Sequence, residues 1–270
     1  MAFIIGDGDN LDFVKGSRKA WMDARLKYCA SQEANGKACQ PLLWSLSPHL
    51  ITKAPDMMQW YYDAAKQTGA DFFVLPPSGH LYSYPGSFSD DAQEGYVKAT
   101  EEDCKIMATS GSVTWEWFYK WRPALKHYLP RYDVNKITKA FYGVNVPFSF
   151  PTFPCINSFC HAKNKFTIVG EDTVFFHQRE WRGTSESGGF MNKPYLLSAK
   201  DMADEINGYK NGTVSAIYTT SDGGFSADDL YEMLTYLDDR VEIVNTETLT
   251  AMAQAAYEAG LADKFDTEAN

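Results

Sequence analysis

The chain has 270 residues, of which 44% are hydrophobic and 22% are charged. This composition is typical of a soluble globular protein rather than a disordered or coiled-coil chain, and the length fits one barrel of about 250 residues. The formal net charge of −10 argues against nucleic acid as a partner, because phosphate binding needs a basic face.

The N-terminus carries no export signal. No basic region with an apolar run and a cleavage site precedes the first predicted strand, and no segment approaches the roughly 18 to 20 consecutive apolar residues of a membrane span. The first strand begins at Phe3, directly after the start of the chain. We therefore expect no membrane span. We also expect the chain to be a fragment of a longer protein.

Short β-rich runs alternate with amphipathic stretches along the chain. The predicted strands are residues 3–5, 42–46, 71–75, 112–117, 140–144, 174–177, 195–197, 214–219 and 241–244. Such alternation is typical of β-α units around a parallel sheet. We predict an α/β fold, a TIM-like (β/α) barrel of seven or eight strands that residues 1–270 form as a single domain. Residues 174–177 or 195–197 are then expected to lie outside the barrel.

Start signals place helices between these strands. Ser89, Ser198 and Ser226 each precede acidic residues in the expected first turn, which is the pattern of a side-chain cap. Residues 57–65 carry apolar side chains at helical spacing. We interpret that stripe as core packing.

The cysteines predict no disulfide framework. The chain contains Cys29, Cys39, Cys104, Cys155 and Cys160, which are too few and too scattered for a disulfide scaffold. No second Cys/His pair of zinc-finger spacing follows the last two. We expect buried or loop thiols rather than a structural metal site.

Acidic and polar residues directly follow several apolar runs. Asp7, Asp9 and Asn10 follow the first strand, Glu116 lies near the end of the fourth, and Asp222 follows residues 214–219. The C-terminal ends of barrel strands form one face. We therefore expect these side chains to line an active face.

Residues 79–85, Gly-His-Leu-Tyr-Ser-Tyr-Pro, are the most informative stretch. Pro85 fixes Tyr82 and Tyr84 directly after an apolar run, so the two rings are expected to form a rigid aromatic surface. Such a surface suits a sugar ring or another flat, hydroxyl-rich ligand. His80 lies in the same stretch, and it and His49 after the second strand are further candidates for substrate binding.

A family likeness rests on three segments. Residues 79–85, with residues 7–10 and 45–48, resemble the C-terminal domain of the GxGYxYP putative glycoside hydrolase family, most clearly over residues 1–118. Leu81 stands where the family pattern has its second glycine. The resemblance implies a barrel related to glycosidases, found in secreted or extracellular proteins behind a smaller N-terminal domain. The pocket residues that it implies are Asp7, Asp9, Asn10, Ser47, Tyr82 and Tyr84.

Glycoside hydrolysis requires two carboxyl groups that flank the scissile bond. The candidate catalytic acids are Asp7, Asp9, Glu116, Glu180 and Asp222. Glu116 is the preferred proton donor, because Trp115 and Trp117 would supply apolar surroundings that raise its pKa. Trp115 is also a candidate substrate contact. Asp7 or Asp9 would be the nucleophile or base. Strand alternation alternatively points Glu116 outward, to solvent or into a salt bridge.

Asp7 and Asp9 leave other functions open. Two residues apart, both would face one ligand or one cation, and oxygen ligands alone can hold Ca²⁺ or Mg²⁺. Metal-dependent sugar deacetylases use a related barrel with a His-x-x-x-His, but here His49 is followed by Lys53 at the matching spacing. The alternatives are a metal-assisted carbohydrate esterase, a sugar-binding barrel without turnover, or a simple turn and helix cap at residues 7–10. We expect no obligate cofactor.

The remaining candidates follow later strands. His177 and Arg179 cluster with Glu180, where Arg179 would orient a carboxylate unless it forms a surface ion pair. Asn145, at the end of the fifth strand, is a further candidate for substrate binding. The sequence thus predicts a carbohydrate substrate and hydrolysis of glycosidic bonds.

Overall fold

The structure is a computed structural model that describes residues 1–146, 162–184, 196–220 and 225–265. The strands are β1 (Ala2–Ile5), β2 (Leu42–Ser45), β3 (Asp71–Val74), β4 (Gly111–Trp117), β5 (Ala140–Val146), β6 (Phe166–Val169), β7 (Thr173–Phe176), β8 (Arg179–Trp181), β9 (Ala216–Thr219) and β10 (Asp263–Lys264). The helices are α1 (Leu11–Lys15), α2 (Ser17–Ala34), α3 (Leu50–Lys53), α4 (Pro55–Thr68), α5 (Asp90–Met107), α6 (Trp121–Pro123), α7 (Ala199–Asn207), α8 (Ala227–Thr235) and α9 (Thr246–Glu258). A π turn (Ala124–Tyr128) and a 3-10 turn (Leu129–Asp133) continue α6.

Within these ranges the strands form two five-stranded sheets. The first has the order β3-β2-β1-β9-β8, and its neighbours are all parallel. The second has the order β10-β6-β7-β5-β4, in which β6 and β7 pair antiparallel as a hairpin. Because β1 is central in its sheet, the segment after β1 lies between the ends of β2 and β9.

Two features link the sheets. Leu75, directly after β3, pairs in parallel with Ser112 of β4. Its N–H donates to the carbonyl of Gly111 at 2.9 Å, and its carbonyl accepts from the N–H of Val113 at 2.9 Å. Elsewhere, residues 177–178 alone separate β7 of one sheet from β8 of the other. One extended segment therefore passes between the sheets.

The predicted mixed α/β class is confirmed, but a closed barrel of seven or eight strands is not. The described strands lie in two sheets, and no closed barrel is detected among them. Residues 174–177, one of the two segments thought surplus, are paired with β5 as part of β7. The single-domain organisation stays a prediction.

Several strand predictions were wrong. Residues 241–244 form no strand, although the N–H of Val244 donates to the carbonyl of Met1 at 2.9 Å. Leu196 and Leu197 also lie outside strands, and Tyr195 lies outside the described residues. The sequence analysis missed β6, β8 and β10. Their pairing comes from distant partners, since strands of two to four residues carry little periodicity of their own.

The two faces of the strands enter different hydrophobic clusters. The inner cluster combines side chains of both sheets, among them Ile4, Val113, Trp115, Tyr142 and Tyr218. The opposite, outer faces pack against helices. On the first sheet these outer residues include Phe3, Trp44 and Trp181, and on the second they include Phe141 and Phe175. The face of a strand on which a polar side chain lies therefore decides whether it meets the inner cluster or a helix.

The three predicted helix starts are confirmed, and the side-chain cap is confirmed at two of them. Ser198 and Ser226 accept from the N–H groups three residues on and cap α7 and α8. Ser89 is the N-cap residue of α5 but makes no side-chain cap hydrogen bond. The stripe on α4 is buried at Met58, Tyr61, Ala64 and Ala65, as core packing requires. None of the helices in the described ranges is both long and apolar enough to cross a membrane.

A disulfide bond joins Cys29 of α2 to Cys39, ten residues on. The expectation of free thiols was wrong for this pair, because the chain turns back after α2 and brings the two side chains together. Cys104 is a buried free thiol. Cys155 and Cys160 lie outside the described residues. The bond ties the end of α2 to the segment that enters β2.

We expect the double substitution Cys29→Ser and Cys39→Ser to lower the free energy of unfolding by about 2 to 3 kcal/mol, because a short closed loop is lost from the unfolded state. Urea denaturation of the oxidised protein and of the variant measures the difference. The matched control is reduction with dithiothreitol, which should destabilise the wild-type protein and leave the variant unchanged. Equal stability of the two proteins before reduction would contradict the prediction.

Candidate functional site

A tight turn follows β1. A Cβ at Gly6 would lie 2.2 Å from the phenol oxygen of the buried Tyr218 on β9, so only glycine fits here. The N–H of Asp7 donates to that oxygen at 3.3 Å. Asp7 has a φ of 60°, a left-handed conformation in which aspartate is enriched among non-glycine residues. The turn places the buried Asp7 side chain at the end of β1.

The same turn is docked on the end of β2. A Cβ at Gly8 would lie 1.8 Å from the carbonyl oxygen of Ser45, and the N–H of Gly8 donates to the Ser45 hydroxyl at 3.1 Å. The N–H of Ser47 donates to the carbonyl of Gly8 at 3.0 Å. This predicted pocket residue therefore holds the turn through its backbone. Asp9 is left half-buried beside it.

A buried cation lies beneath the turn. Arg18 of α2 is fully buried, donates to the carbonyl of Ile5 at 2.9 Å and donates to the carbonyl of Ser45. The carboxylates of Asp7 and Asp9 interact favourably with it and partly offset the desolvation that lowers its pKa. Arg18 thus joins the ends of two strands and supplies the positive charge that two neighbouring acids need.

Glu180 reaches the same place from β8. Its Cα pairs in register with Tyr218, and its side chain is buried. Burial raises the pKa of Glu180 to about 8; the negative charge of Asp7 also raises it, while Arg182 lowers it. The guanidinium of Arg182 lies 3.7 Å from a Glu180 carboxyl oxygen. Glu180 therefore holds a proton at neutral pH.

The strand ends thus assemble a set of ionisable groups that we term the acid cluster, consisting of Asp7, Asp9, Glu180, Arg18, Arg182 and Tyr218. Burial raises the pKa of Asp9, while a backbone hydrogen bond and the charge of Arg18 act in the opposite direction. Burial also raises the pKa of Tyr218 well above its usual value, and the charges of Asp7 and Asp9 add to this effect. Of the five predicted acids, Asp7 therefore acts on Glu180, and Asp7 and Asp9 both act on Arg18 and Tyr218.

The motif loop, residues 79–85, is held by one face of α5. The hydroxyl of Tyr96 accepts from the N–H of Leu81 at 2.9 Å and from the Ser83 hydroxyl at 2.8 Å. One turn earlier, the amide of Gln93 donates to the carbonyl of Pro85 at 3.0 Å. Leu81, which replaces the second glycine of the family pattern, is exposed and is fixed through its backbone.

The face continues one turn later along α5. Thr100 accepts from the N–H of His80 at 3.2 Å, and Asp103 pairs with the His80 ring at 2.7 Å. The carbonyl of His80 contacts the ring of His49 at 2.9 Å. Both histidines, predicted as substrate contacts, therefore brace the loop. The same face of α5 leaves no space for a side chain at Gly79, whose Cβ would lie 2.7 Å from Thr100.

The braced loop projects Tyr82 toward the acid cluster. The ring of Tyr82 lies 5.3 Å from that of Trp115, and its hydroxyl is 3.0 Å from the hydroxyl of Tyr84. Burial and the Tyr84 hydrogen bond raise the pKa of Tyr82, and the charges of Asp9 and Asp7 contribute. Tyr82 therefore lies within electrostatic reach of Asp7 and Asp9, and it packs against Trp115 on the inner side of β4.

Glu116 occupies the opposite face of β4. It is fully buried, and its two carboxyl oxygens accept from the N–H of Gly86 at 2.8 Å and from that of Trp117 at 3.0 Å. Burial raises its pKa to about 7, and these two N–H groups oppose the rise. A Cβ on Gly86 would lie 2.6 Å from Glu116 and 2.9 Å from Ala124. Glu116 therefore fastens the end of the motif loop to the outer side of the strand.

Three other candidates lie on outer faces. Asn145 accepts from the Trp121 indole at 2.7 Å. His177 contacts the Thr167 hydroxyl at 2.7 Å, and burial lowers its pKa to about 3, so the ring is neutral. Arg179 pairs with Glu205 of α7 at 2.9 Å. These side chains connect strands to their neighbours instead of entering the acid cluster.

Asn10 has a structural role at the start of α1. It is exposed and caps this helix by accepting from the N–H of Asp12 at 2.9 Å and of Phe13 at 3.4 Å. Asp222 lies outside the described residues. In the described ranges, no group of three or more His, Cys, Asp or Glu side chains is arranged to hold a metal ion. Asp7 and Asp9 alone would provide the ligands of a cation there.

Sequence reasoning missed three members of the cluster. Tyr218 lies inside an apolar strand, where nothing signals that its hydroxyl meets Asp7. Arg182 follows β8, which was not predicted. Arg18 had a signal: with Trp21, Met22 and Arg25 it forms a buried stripe at helical spacing, and a basic residue on such a stripe requires a polar partner.

Residues 1–142 match the GxGYxYP putative glycoside hydrolase C-terminal domain. The chain belongs to this family. The matched segment includes the turn at Asp7, the motif loop and β4, which together form much of the site. No curated protein matches the chain.

Three solved structures share the fold. A putative hydrolase from Bacteroides thetaiotaomicron aligns with a TM-score of 0.71 and 18% identity over 94% of this chain. A putative polysaccharide deacetylase from Mycobacterium smegmatis aligns with a TM-score of 0.54 and 12% identity over the whole chain and 93% of its own length. A 4-alpha-glucanotransferase from Thermococcus litoralis aligns with a TM-score of 0.51 and 10% identity over 93% of this chain.

The chain spans 44% of the length of the Bacteroides protein and 40% of that of the Thermococcus protein. The family is described as a glycoside hydrolase domain, which indicates a carbohydrate-active enzyme. The three structures, at 10 to 18% identity, show a shared fold.

We expect Gly8→Ala to destabilise the protein by about 1 to 3 kcal/mol, because the added methyl group meets the Ser45 backbone. The matched control is Gly95→Ala in the middle of α5, where nothing lies within 4 Å of the added Cβ. That change should stabilise by about 0.5 to 1 kcal/mol. Urea denaturation measures both. Wild-type stability of Gly8→Ala would show that the turn is not docked on β2.

Proposed function

We propose that this protein hydrolyses glycosidic bonds, with Glu180 as the general acid and Asp7 or Asp9 as the nucleophile or base. The observation that carries the proposal is the buried carboxyl group of Glu180, which lies 3.7 Å from Arg182 and whose pKa is raised by burial and by the charge of Asp7. Two carboxyl groups with one proton between them are what the reaction requires, since one protonates the leaving oxygen and the other acts as a carboxylate.

The chemistry follows from the surroundings of each acid. Glu180, held protonated by burial, would donate its proton to the glycosidic oxygen as the bond to the anomeric carbon breaks. Asp7 or Asp9 would attack that carbon directly or activate a water molecule, while Arg182 stabilises the carboxylate that Glu180 becomes. Tyr82 and Trp115, beside the acids, would position the sugar ring.

The proposal moves the proton donor from Glu116 to Glu180. Both carboxyl groups are buried and both have raised pKa values, so their titration does not distinguish them. Their positions do: Glu116 engages the backbone of Gly86 on the outer face, whereas Glu180 lies near Asp7. A proton donor must reach the bond that breaks.

We further propose that the two sheets are parts of one seven-stranded barrel, in the order β1-β2-β3-β4-β5-β7/β8-β9. The pairing of Leu75 with Ser112 supports a junction of β3 with β4. The segment that contains β7 and β8 pairs with β5 by its first half and with β9 by its second. The acid cluster would then lie at the C-terminal face, where barrel enzymes carry their active sites. A crystal structure with β3 and β4 separated by side chains would refute the closure.

Three buried glutamates allow a matched test of which residue is the general acid. We expect Glu180→Gln to lower the rate of hydrolysis by about 10²- to 10⁴-fold, the usual contribution of a general acid. Glu116→Gln should lower it less than tenfold. Glu101→Gln, a buried glutamate of α5 that accepts from Asn135, should leave it unchanged.

Reducing-sugar release from a panel of polysaccharides measures these rates. Inactivity of Glu116→Gln with full activity of Glu180→Gln would assign the acid to Glu116 instead. If the wild-type protein binds sugars but releases no reducing sugar from any polysaccharide, hydrolysis is refuted and the protein is a sugar-binding domain.

The pH dependence follows from the raised pKa of Glu180. We expect activity to fall as the pH rises through about 8, where Glu180 loses its proton. In the unfolded chain this carboxyl group releases its proton near pH 4.3. The wild-type protein therefore loses stability as the pH rises from about 4 to about 8. The difference in melting temperature between Glu180→Gln and wild type should therefore shift in favour of the variant over this range. A constant difference would show that the pKa is not raised.

The second candidate is a metal-assisted carbohydrate esterase. The fold likeness to the polysaccharide deacetylase favours it, and Asp7 and Asp9 would supply oxygen ligands. We place it second because His49 and His80 engage the motif loop and Asp103 rather than the two acids. Acetate release from acetylated xylan that EDTA abolishes, with no reducing-sugar release from any polysaccharide, would favour this function over glycoside hydrolysis.

A further inference from the structure

Four aromatic side chains form a continuous row that starts at the acid cluster. The ring centroids of Tyr82 and Tyr84 lie 5.9 Å apart, those of Tyr84 and Trp117 lie 5.8 Å apart, and those of Trp117 and Tyr119 lie 6.2 Å apart. We term this set the aromatic row. It connects the motif loop after β3 with the segment after β4, so two chain segments contribute two rings each.

The row is accessible although its base is fixed. Tyr82 is 51% exposed and Tyr119 is 56% exposed, whereas Tyr84 and Trp117 are half-buried against the inner cluster. Large aromatic residues so exposed are uncommon, since burying such a ring is strongly favourable. Tyr84 and Trp117 therefore anchor the row on the inner cluster, while the rings at its two ends face solvent.

One end of the row lies within electrostatic reach of the proposed catalytic groups. The ring of Tyr82 packs 5.3 Å from Trp115 on the inner side of β4, and the charges of Asp7 and Asp9 act on its hydroxyl. Tyr119, at the other end of the row, contacts Trp117, Phe118 and Lys120. A ligand that contacts all four rings would thus extend from Tyr82 to Tyr119, beyond the ring on which the acids act.

We propose that the aromatic row is an extended subsite for a polysaccharide chain, and that the substrate is a polymer rather than a monosaccharide glycoside. The nature of the ligand rests on the proposed function. Apolar faces of sugar rings pack on aromatic rings, and four rings whose neighbouring centroids lie 5.8 to 6.2 Å apart extend beyond a single sugar ring. A monosaccharide at the acids would contact Tyr82 and leave Trp117 and Tyr119 unused.

Binding should be tested separately from hydrolysis. The probe is a glycan microarray that carries glucans, mannans, galactans and xylans from mono- to hexasaccharide, and the protein is Glu180→Gln, which should bind without turnover. We expect affinity to rise with chain length. Tyr119→Ala in the same background should raise the Kd for the hexasaccharide about tenfold, equivalent to roughly 1.4 kcal/mol, and leave the Kd for the disaccharide unchanged.

Two control variants separate stacking from other effects. Tyr119→Phe keeps the ring and should keep the affinity. Tyr236→Ala removes a tyrosine of similar exposure, 43%, after α8 and should also have no effect. Equal affinity for short and long glycans, no binding to any glycan, or wild-type affinity of Tyr119→Ala would each overturn the subsite.

The two proposals can fail independently. Binding that depends on chain length and on Tyr119, without any hydrolysis by the wild-type protein, would refute the glycosidase and retain the subsite. Hydrolysis of aryl monosaccharides with no gain for longer substrates would retain the glycosidase and refute the subsite.

Discussion

A single buried cation organises the site. The guanidinium of Arg18 is removed from water, so its charge must be compensated by neighbouring groups. It donates to two carbonyl groups at the ends of β1 and β2, and the negative charges of Asp7 and Asp9 in the turn that follows β1 also stabilise it. The same cation therefore joins strand ends and makes it possible for Asp7 and Asp9 to lie close together. Without it, two acids in one buried turn would repel each other.

The two faces of a strand give similar carboxyl groups different roles. Glu116 and Glu180 are both buried and both have raised pKa values. The outer position directs Glu116 to the backbone of the motif loop, while the inner position directs Glu180 to Asp7 and Arg182. A raised pKa alone thus marks structural as well as catalytic candidates. The electrostatic effect of Asp7, which acts on Glu180, distinguishes the two groups.

The motif loop combines residues that fix its backbone with a tyrosine that faces solvent. Gly79 lies where Thr100 leaves no space for a side chain, and the backbone of Leu81 is bound by Tyr96, so the loop is rigid even where the pattern departs from glycine. Its rigidity keeps Tyr82 exposed at the acid cluster. A flexible loop would lose conformational entropy whenever a ligand ordered it. The contacts with α5 order the loop in advance, so a bound ligand need not do so. Two rings of the aromatic row, Tyr82 and Tyr84, belong to this ordered loop.

The sequence by itself determined the α/β class, most strand positions and the starts of three helices. These features depend on local periodicity and on polar residues directly before each helix. It also located Asp7, Asp9 and Tyr82 after apolar runs, where strand ends expose them. Tertiary structure alone decided that Glu180 rather than Glu116 meets these acids, and that Tyr218 and Arg18 complete the cluster. The side of a strand that faces the inner cluster is set by which distant strands pair, and no local pattern records that pairing.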